Sequence, residues 1–148
     1  MIEQYAQQGW MSVLAQAAPE DVEKAWEGLE ERPAYRTLRG PETGSVMIQG
    51  RTGGTGAPFC LGEMTVTRCS VVLEDGRLGH AYVQGRNAEH AERAAVLDAL
   101  LQDPARRPRL EAAVIALLAE RREAARRQLA ARVAATKVEF LTMVRGEE

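Results

Sequence analysis

Apolar residues recur at three- and four-residue spacing from Ile2 through Tyr5, Ala6, Trp10, Val13 and Leu14 to Ala17, which predicts an amphipathic helix. Pro19 with Glu20 and Asp21 predicts the first turn of a second helix, where a missing N–H costs little and acids favour the dipole. Val22, Trp26 and Leu29 form its stripe, and Pro33 ends it. The period then changes. Ala34–Arg39 and Ser45–Arg51 read as strands separated by the turn Gly40-Pro41-Glu42-Thr43-Gly44. A glycine-rich loop, Thr52–Pro58, leads to a long Thr- and Val-rich strand, Glu63–Leu73. Asp75-Gly76 then predicts a tight hairpin that returns through Arg77–Gly85. Helical spacing resumes after Asn87, a good N-cap with Glu89 in the first turn and Val96, Leu97, Leu100 and Leu101 as its stripe. Asp103–Pro108 breaks that helix. A long one follows from about Arg109 to Ala134, with Leu110, Val114, Leu117, Leu118, Ala125, Leu129 and Val133 on its buried side and Glu123 paired to Arg127. Part of this helix is expected to extend beyond a compact body. The tail, Lys137–Gly146, reads as an added strand from its Val, Phe and Thr content. The fold class is α+β: an antiparallel sheet with a central hairpin, packed by N-terminal and C-terminal helices.

The hairpin permits a finer reading. A type I′ turn at Asp75-Gly76 sets Leu73 opposite Leu78, Val71 opposite His80 and Cys69 opposite Tyr82 on one side. The other side then carries Val72 with Gly79, Ser70 with Ala81, Arg68 with Val83 and Val66 with Gly85. This second side is small and flat enough for close helix packing, and the first is largely apolar. Neither suits water, so helices are expected on one face and more helix, or another chain, on the other. The two tryptophans serve the core or anchor a subunit interface.

Composition adds bounds. The chain has 148 residues, 45% hydrophobic and 27% charged, which suits one domain over residues 1–148 and excludes wholesale disorder. It carries no apolar run long enough for a transmembrane helix, no signal-peptide pattern, and only Cys60 and Cys69, so a cytoplasmic protein without a disulfide framework is expected. The net charge of -2 hides an acidic first part, -4 over residues 1–50, and a basic late part, +5 over residues 103–137. Two solvated helix faces of opposite sign account for this, as does docking to a partner of complementary charge.

The amides of Gly53, Gly54 and Gly56, with Arg51 beside them, form a candidate anion cradle. The loop is no Walker A motif, since no Gly-Lys-Ser/Thr follows, and no dinucleotide fingerprint, since Phe59 sits where the last glycine belongs. Its alternative role is a conformationally demanding loop that packs or docks. Cys60, Cys69, His80 and His90 match no usual zinc spacing, so no metal is expected, and neither thiol has a third residue to orient a histidine base. His90, near a helix start, would meet a phosphate if exposed and otherwise is a satisfied histidine. Arg68 lies in a strand among small and apolar neighbours, and a buried arginine needs an anionic partner. The basic run Glu120–Arg127 raises nucleic-acid binding, but it lacks interleaved aromatics and a recognised motif. No residue stands out as catalytic.

Several blocks, in order, are similar to phosphonate metabolism protein G, the small G subunit of the bacterial carbon–phosphorus lyase core complex. They are Gly9-Trp10-Met11-Ser12-Val13-Leu14-Ala15, Arg51-x-Gly53-Gly54-Thr55-Gly56, Thr65-Val66-Thr67-Arg68, Asp75-Gly76-x-Leu78-Gly79, Val83-Gln84-Gly85-Arg86, His90-Ala91-Glu92-Arg93, Asp98-Ala99-Leu100 and the closing Val138–Gly146, which contains Arg145. The resemblance implies a subunit supporting transfer of an alkylphosphonate to C1′ of ATP with release of adenine, to give a ribose 1-phosphonate 5-triphosphate. It implies assembly with the H, I and J subunits, the I subunit above all, with homodimerisation open for the isolated chain. ATP is then a substrate of the complex, and no cofactor belongs to this chain. Catalysis would rest mainly on a partner, with Arg51, Gly53, Gly54, Gly56, Arg68, His90 and Arg145 as ligand-binding or interface candidates. Two alternatives remain: direct binding of phosphate or phosphonate through the glycine-rich loop, and a standalone basic-helix module for nucleic acid.

Overall fold

The computed structural model describes residues 2–30 and 32–136, with side chains in the first helix from Ala6 onward. The order is α1 (Ile2–Gln16), α2 (Pro19–Glu27), β1 (Tyr35–Arg51), β2 (Pro58–Leu73), β3 (Leu78–Gln84), α3 (Ala88–Leu101), α4 (Arg107–Leu110), a π-helical turn (Glu111–Ile115) and α5 (Ala116–Ala135). The strands form one antiparallel sheet, ordered β1-β2-β3. This is the expected α+β arrangement, with helices packed on one face.

α3 is the centre of the core. Asn87 caps it by accepting from the His90 N–H at 2.9 Å, and ten of its residues are buried. Alanines give it a thin side: Ala91, Ala94, Ala95 and Ala99 let its backbone close on the sheet. The closest approach is at Gly79, where an added Cβ would overlap the Ala95 carbonyl and lie 2.8 Å from the Ala99 methyl. Trp10 and Leu14 of α1, Val22 of α2, and Val114 and Leu118 from the last helical stretch complete the cluster.

Two expectations about the sheet are corrected. β1 is one strand of 17 residues, not two strands and a turn. Register shifts between Thr37 and Arg39 and between Arg39 and Glu42 absorb Gly40-Pro41 as bulges. A proline is tolerated there because β1 is an edge strand and the N–H is not required. The hairpin is also offset by one residue. Leu73 N–H donates to Arg77 O at 2.9 Å, Gly76 N–H donates to Leu73 O at 3.0 Å, and Gly76 lies at φ 87°. The loop is thus three residues ending on a left-handed glycine, and the ladder pairs Val71 with Gly79, Cys69 with Ala81 and Arg68 with Tyr82. One residue of slip turns a strand over. Gly79, Ala81 and Val83 face the helices as expected, but their β2 companions are Val71, Cys69 and Thr67.

The long helical stretch runs from Arg107 to Ala135 and leaves the body, as expected, but its inner side ends at Leu118. Leu117, Ala125, Leu129 and Val133, expected on the buried side, are exposed, and Glu123 pairs with Arg126 at 3.0 Å instead of Arg127. The segregated charge is partly spent internally, because Arg121 pairs with Asp21 and Arg109 with Glu30. None of the described helices is long and apolar enough to cross a membrane. The strand expected over residues 137–146, and Arg145 with it, lie outside the described residues.

Beyond β3, β1 and β2 continue as a two-stranded arm from about Gly44/Val66 to Arg51/Pro58. It comprises eight residue pairs and is roughly 23 Å long. Gly9 is exposed on α1 with nothing within 4 Å of an added Cβ. Gly9→Ala is therefore expected to stabilise the chain by about 0.5–1 kcal/mol, measured by urea unfolding.

Candidate functional site

The hydrogen-bond pattern of the hairpin leaves the N–H and C=O of Leu78, His80 and Tyr82 pointing away from β2, toward the sheet edge. Two side chains of α3 and its C-cap close this edge. Asp98, fully buried, accepts from the His80 N–H at 3.0 Å, and Gln102 donates to Leu78 O at 2.7 Å. The same Asp98 carboxylate accepts from Trp10 Nε1 at 2.8 Å, Gln7 Nε2 at 3.2 Å and Gln102 Nε2 at 3.3 Å. It thus joins α1, α3 and β3, and Arg107 stacks over the Trp10 ring 5.3 Å from its centroid. Residue-level reasoning did not single out Asp98. An acid inside the stripe Val96, Leu97, Leu100, Leu101 is the signal that marks it.

The site candidates do not converge. Arg51, Gly53, Gly54 and Gly56 sit together at the tip of the arm, where Gly53 and Gly54 take φ of 62° and 83°. Gly56 N–H donates to Thr52 O at 2.8 Å and Arg51 Nη1 donates to Gly56 O at 3.1 Å, so the tip is held by its own bonds. Arg68 lies ten residues along β2 from Pro58, some 33 Å away along an extended strand. It is not buried, contrary to expectation: its side chain is 40% accessible, and its anionic partner is Glu42 of the same sheet at 2.9 Å. Hydrogen bonds to Tyr82 and Glu42 raise the Arg68 guanidinium above its ordinary value, while Arg68 and then Arg39 hold the Glu42 carboxyl below the usual range. Arg68 is a member of a closed charge network, not a free cation awaiting an anion.

Of the two readings of His90, exposed toward a phosphate or engaged inside the fold, the structure supports the second through one ring nitrogen. It is buried, and its Nε2 lies 2.8 Å from Leu14 O, which accepts only if Nε2 carries the proton. Nδ1 is buried and has no partner among the described residues. Burial lowers the pKa below 6.5, so folding favours the neutral ring. The corresponding stability is present above about pH 6.5 and lost as pH falls through the folded-state value. Urea midpoints are expected to drop between pH 7.5 and 5, and more steeply in the wild type than in His90→Gln; parallel curves would remove this role.

No described element covers the face of the sheet away from the helices. Leu78 and Tyr82 are 45% and 49% exposed with half-buried Val72 opposite Leu78, and on the same face half-buried Met64, Val46 and Ile48 continue along the arm. The corrected register places Ser70 opposite His80, with Oγ 2.9 Å from Nδ1. These side chains, with the Arg68–Glu42 pair, give an apolar surface with a few fixed polar points. That is the chemistry of a docking face. A separate groove of about 840 Å³ between α2, the end of β2 and the last helices has an apolar floor including Leu29, Leu110 and Leu117. Its lining carries Lys24, Arg32, Arg106, Arg109 and Arg121 against Glu30, Glu74 and Asp75, with Arg109 paired to Glu30 and Arg121 to Asp21. No group of three or more possible metal ligands occurs among the described residues.

The family model described as phosphonate metabolism protein PhnG matches residues 6–146. A similar curated protein is the alpha-D-ribose 1-methylphosphonate 5-triphosphate synthase subunit PhnG of Rhizobium meliloti (strain 1021). It is 44% identical over 138 residues, covering 93% of this chain and 88% of its own length.

Proposed function

Since the chain belongs to the phosphonate metabolism protein PhnG family, we propose that it is the corresponding subunit of an alpha-D-ribose 1-methylphosphonate 5-triphosphate synthase. In this reading the alkylphosphonate displaces adenine from C1′ of ATP at an active site carried mainly by a larger subunit of the cytoplasmic carbon–phosphorus lyase system. The present chain builds and stabilises that assembly, and its partners are the H, I and J subunits, with the I subunit on the open sheet face. The observation that carries the reading is that face: apolar, uncovered by any described element, and flanked by an arm and a helix that both leave the body. The buried polar groups nearby, Asp98 and His90, are engaged in holding helices and strand edge together. ATP enters as substrate of the complex, with no cofactor held by this chain.

Co-expression of the chain with an I-type subunit is expected to recover both. The double substitution Leu78→Asp with Tyr82→Glu is expected to lower recovery about tenfold or more while leaving the circular dichroism unchanged. Full recovery with the double variant would remove the open face from the interface. A second role, direct contact with the anionic substrate, is favoured by the grouping of Arg51 with three glycines at the end of an arm that can reach a neighbour's site. Arg51→Ala distinguishes it: turnover lost in an intact assembly supports contact, and unchanged turnover excludes it.

A further inference from the structure

The two edges of the sheet are treated differently. β3 is closed by Asp98 and Gln102. The first half of β1 carries the usual defences of a free edge: two bulges, Pro41, and the charges of Arg36, Arg39 and Glu42. Its second half, up to Gly50, has neither charge nor proline, and the one register shift there, between Ile48 and Gln49, puts the extra residue, Leu61, in β2 and leaves β1 continuous. Thr43-Gly44-Ser45-Val46-Met47-Ile48-Gln49-Gly50 is eight residues without charge or proline, on the arm, with β2 on one side and no strand on the other among the described residues. A regular edge of this kind is a template for another strand.

The segment is also nearly symmetric about Met47. We infer that it pairs antiparallel with the same segment of a second copy, across a two-fold axis at Met47. That register sets Val46 opposite Ile48 of the second copy and Ile48 opposite its Val46, Ser45 opposite Gln49, and Gly44 opposite Gly50. Arg51 falls opposite Thr43, so no like charges meet, and β-branched pairs meet on one face. Val46 and Ile48 are already half-buried on that face, where Val46 also lies opposite Met64 of β2. Met47, 63% exposed, meets its own copy on the other face. The pairing stops where the chain makes it stop: the next positions oppose Glu42 to Thr52 and Pro41 to Gly53, which are bulge and tip. A segment that fits its own reverse is the self-complementary patch that a closed dimer requires. Joined this way, two sheets become one of six strands. The inference concerns the outer edge of β1; Val46 and Ile48 also belong to the open face, but the strand pairing does not depend on what covers that face.

Sedimentation of the purified full chain tests it. The wild type is expected to be a dimer, and Met47→Lys and Met47→Glu to dissociate about tenfold or more readily, because like charges then meet on the axis. Mixing the two variants is expected to restore dimers, an outcome that misfolding cannot imitate. A monomeric wild type, or a dimer indifferent to both charges, overturns the inference. Oxidation of Met47→Cys in a Cys60→Ser background, within the co-expressed assembly, is expected to link two copies of the chain, since directly opposed strand residues lie within disulfide reach. A crosslink to any other polypeptide, or none, also overturns it.

Discussion

Asp98→Ala is expected to destabilise the chain by about 3–5 kcal/mol, a large part of the 5–15 kcal/mol typical of a domain. The loss has identifiable parts. The Trp10 indole N–H and the His80 backbone N–H lose their acceptor in a buried setting, Gln7 loses its own at the margin, and Gln102 keeps only Leu78 O. A buried donor left alone costs its whole desolvation, and a donor to a carboxylate more than most. Asp98→Asn keeps the volume but turns one acceptor into an amide that meets a donor, so it is expected to recover only part of the loss. Urea unfolding, followed by Trp10 fluorescence and by circular dichroism, measures both. A loss below about 1 kcal/mol for the alanine variant would show that water replaces the carboxylate, and that α1 and β3 are not tied through it. Uncovering the β3 edge carries a second expected result, a greater tendency to aggregate than in variants equally destabilised elsewhere.

Gly79→Ala is expected to cost about 3 kcal/mol, and Gly79→Val to prevent stable folding. The reason is close approach alone, since Gly79 is not among the glycines with positive φ. A methyl there enters the space of the Ala95 carbonyl and the Ala99 side chain, and those atoms belong to α3, which the core holds on its other sides. The helix must retreat from the sheet, loosening Val83, Leu97 and Leu101 together. Gly62→Ala on the arm is the control: nothing lies within 4 Å of its added Cβ, and its effect is expected to stay within about 0.5 kcal/mol. Equal effects at the two positions would refute the packing argument.

Much of the architecture was legible in short stretches of sequence. Trp10, Leu14 and Val22 fall in the core at the spacing that announced α1 and α2, and Asn87 caps α3 where an asparagine before an apolar stripe should. The small side of β3, with Gly79, Ala81 and Val83, correctly announced helix packing. The family was legible too, because its blocks lie in order along the chain. The site was read less well. Arg51 and the glycines are neighbours in sequence and stay so at the tip, whereas Arg68 and His90 were assigned surroundings that only the folded chain supplies.

The sequence by itself determined what depends on near neighbours: helix periodicity, caps, the Asp-Gly reversal, and which side of β3 is small. Those follow from bonds and dihedral preferences spanning a few residues. Only the tertiary structure decided the one-residue offset of β2. Asp-Gly suits a two-residue loop and a three-residue loop ending on glycine alike, and both faces of β2 are apolar enough to accept either. The same holds for β1 running straight through Gly40-Pro41, for Arg68 finding Glu42, and for Asp98 finding Trp10 and the edge of β3. Each joins groups far apart in the chain, and such pairings are set by the packing of the whole sheet against α3, which no local pattern encodes.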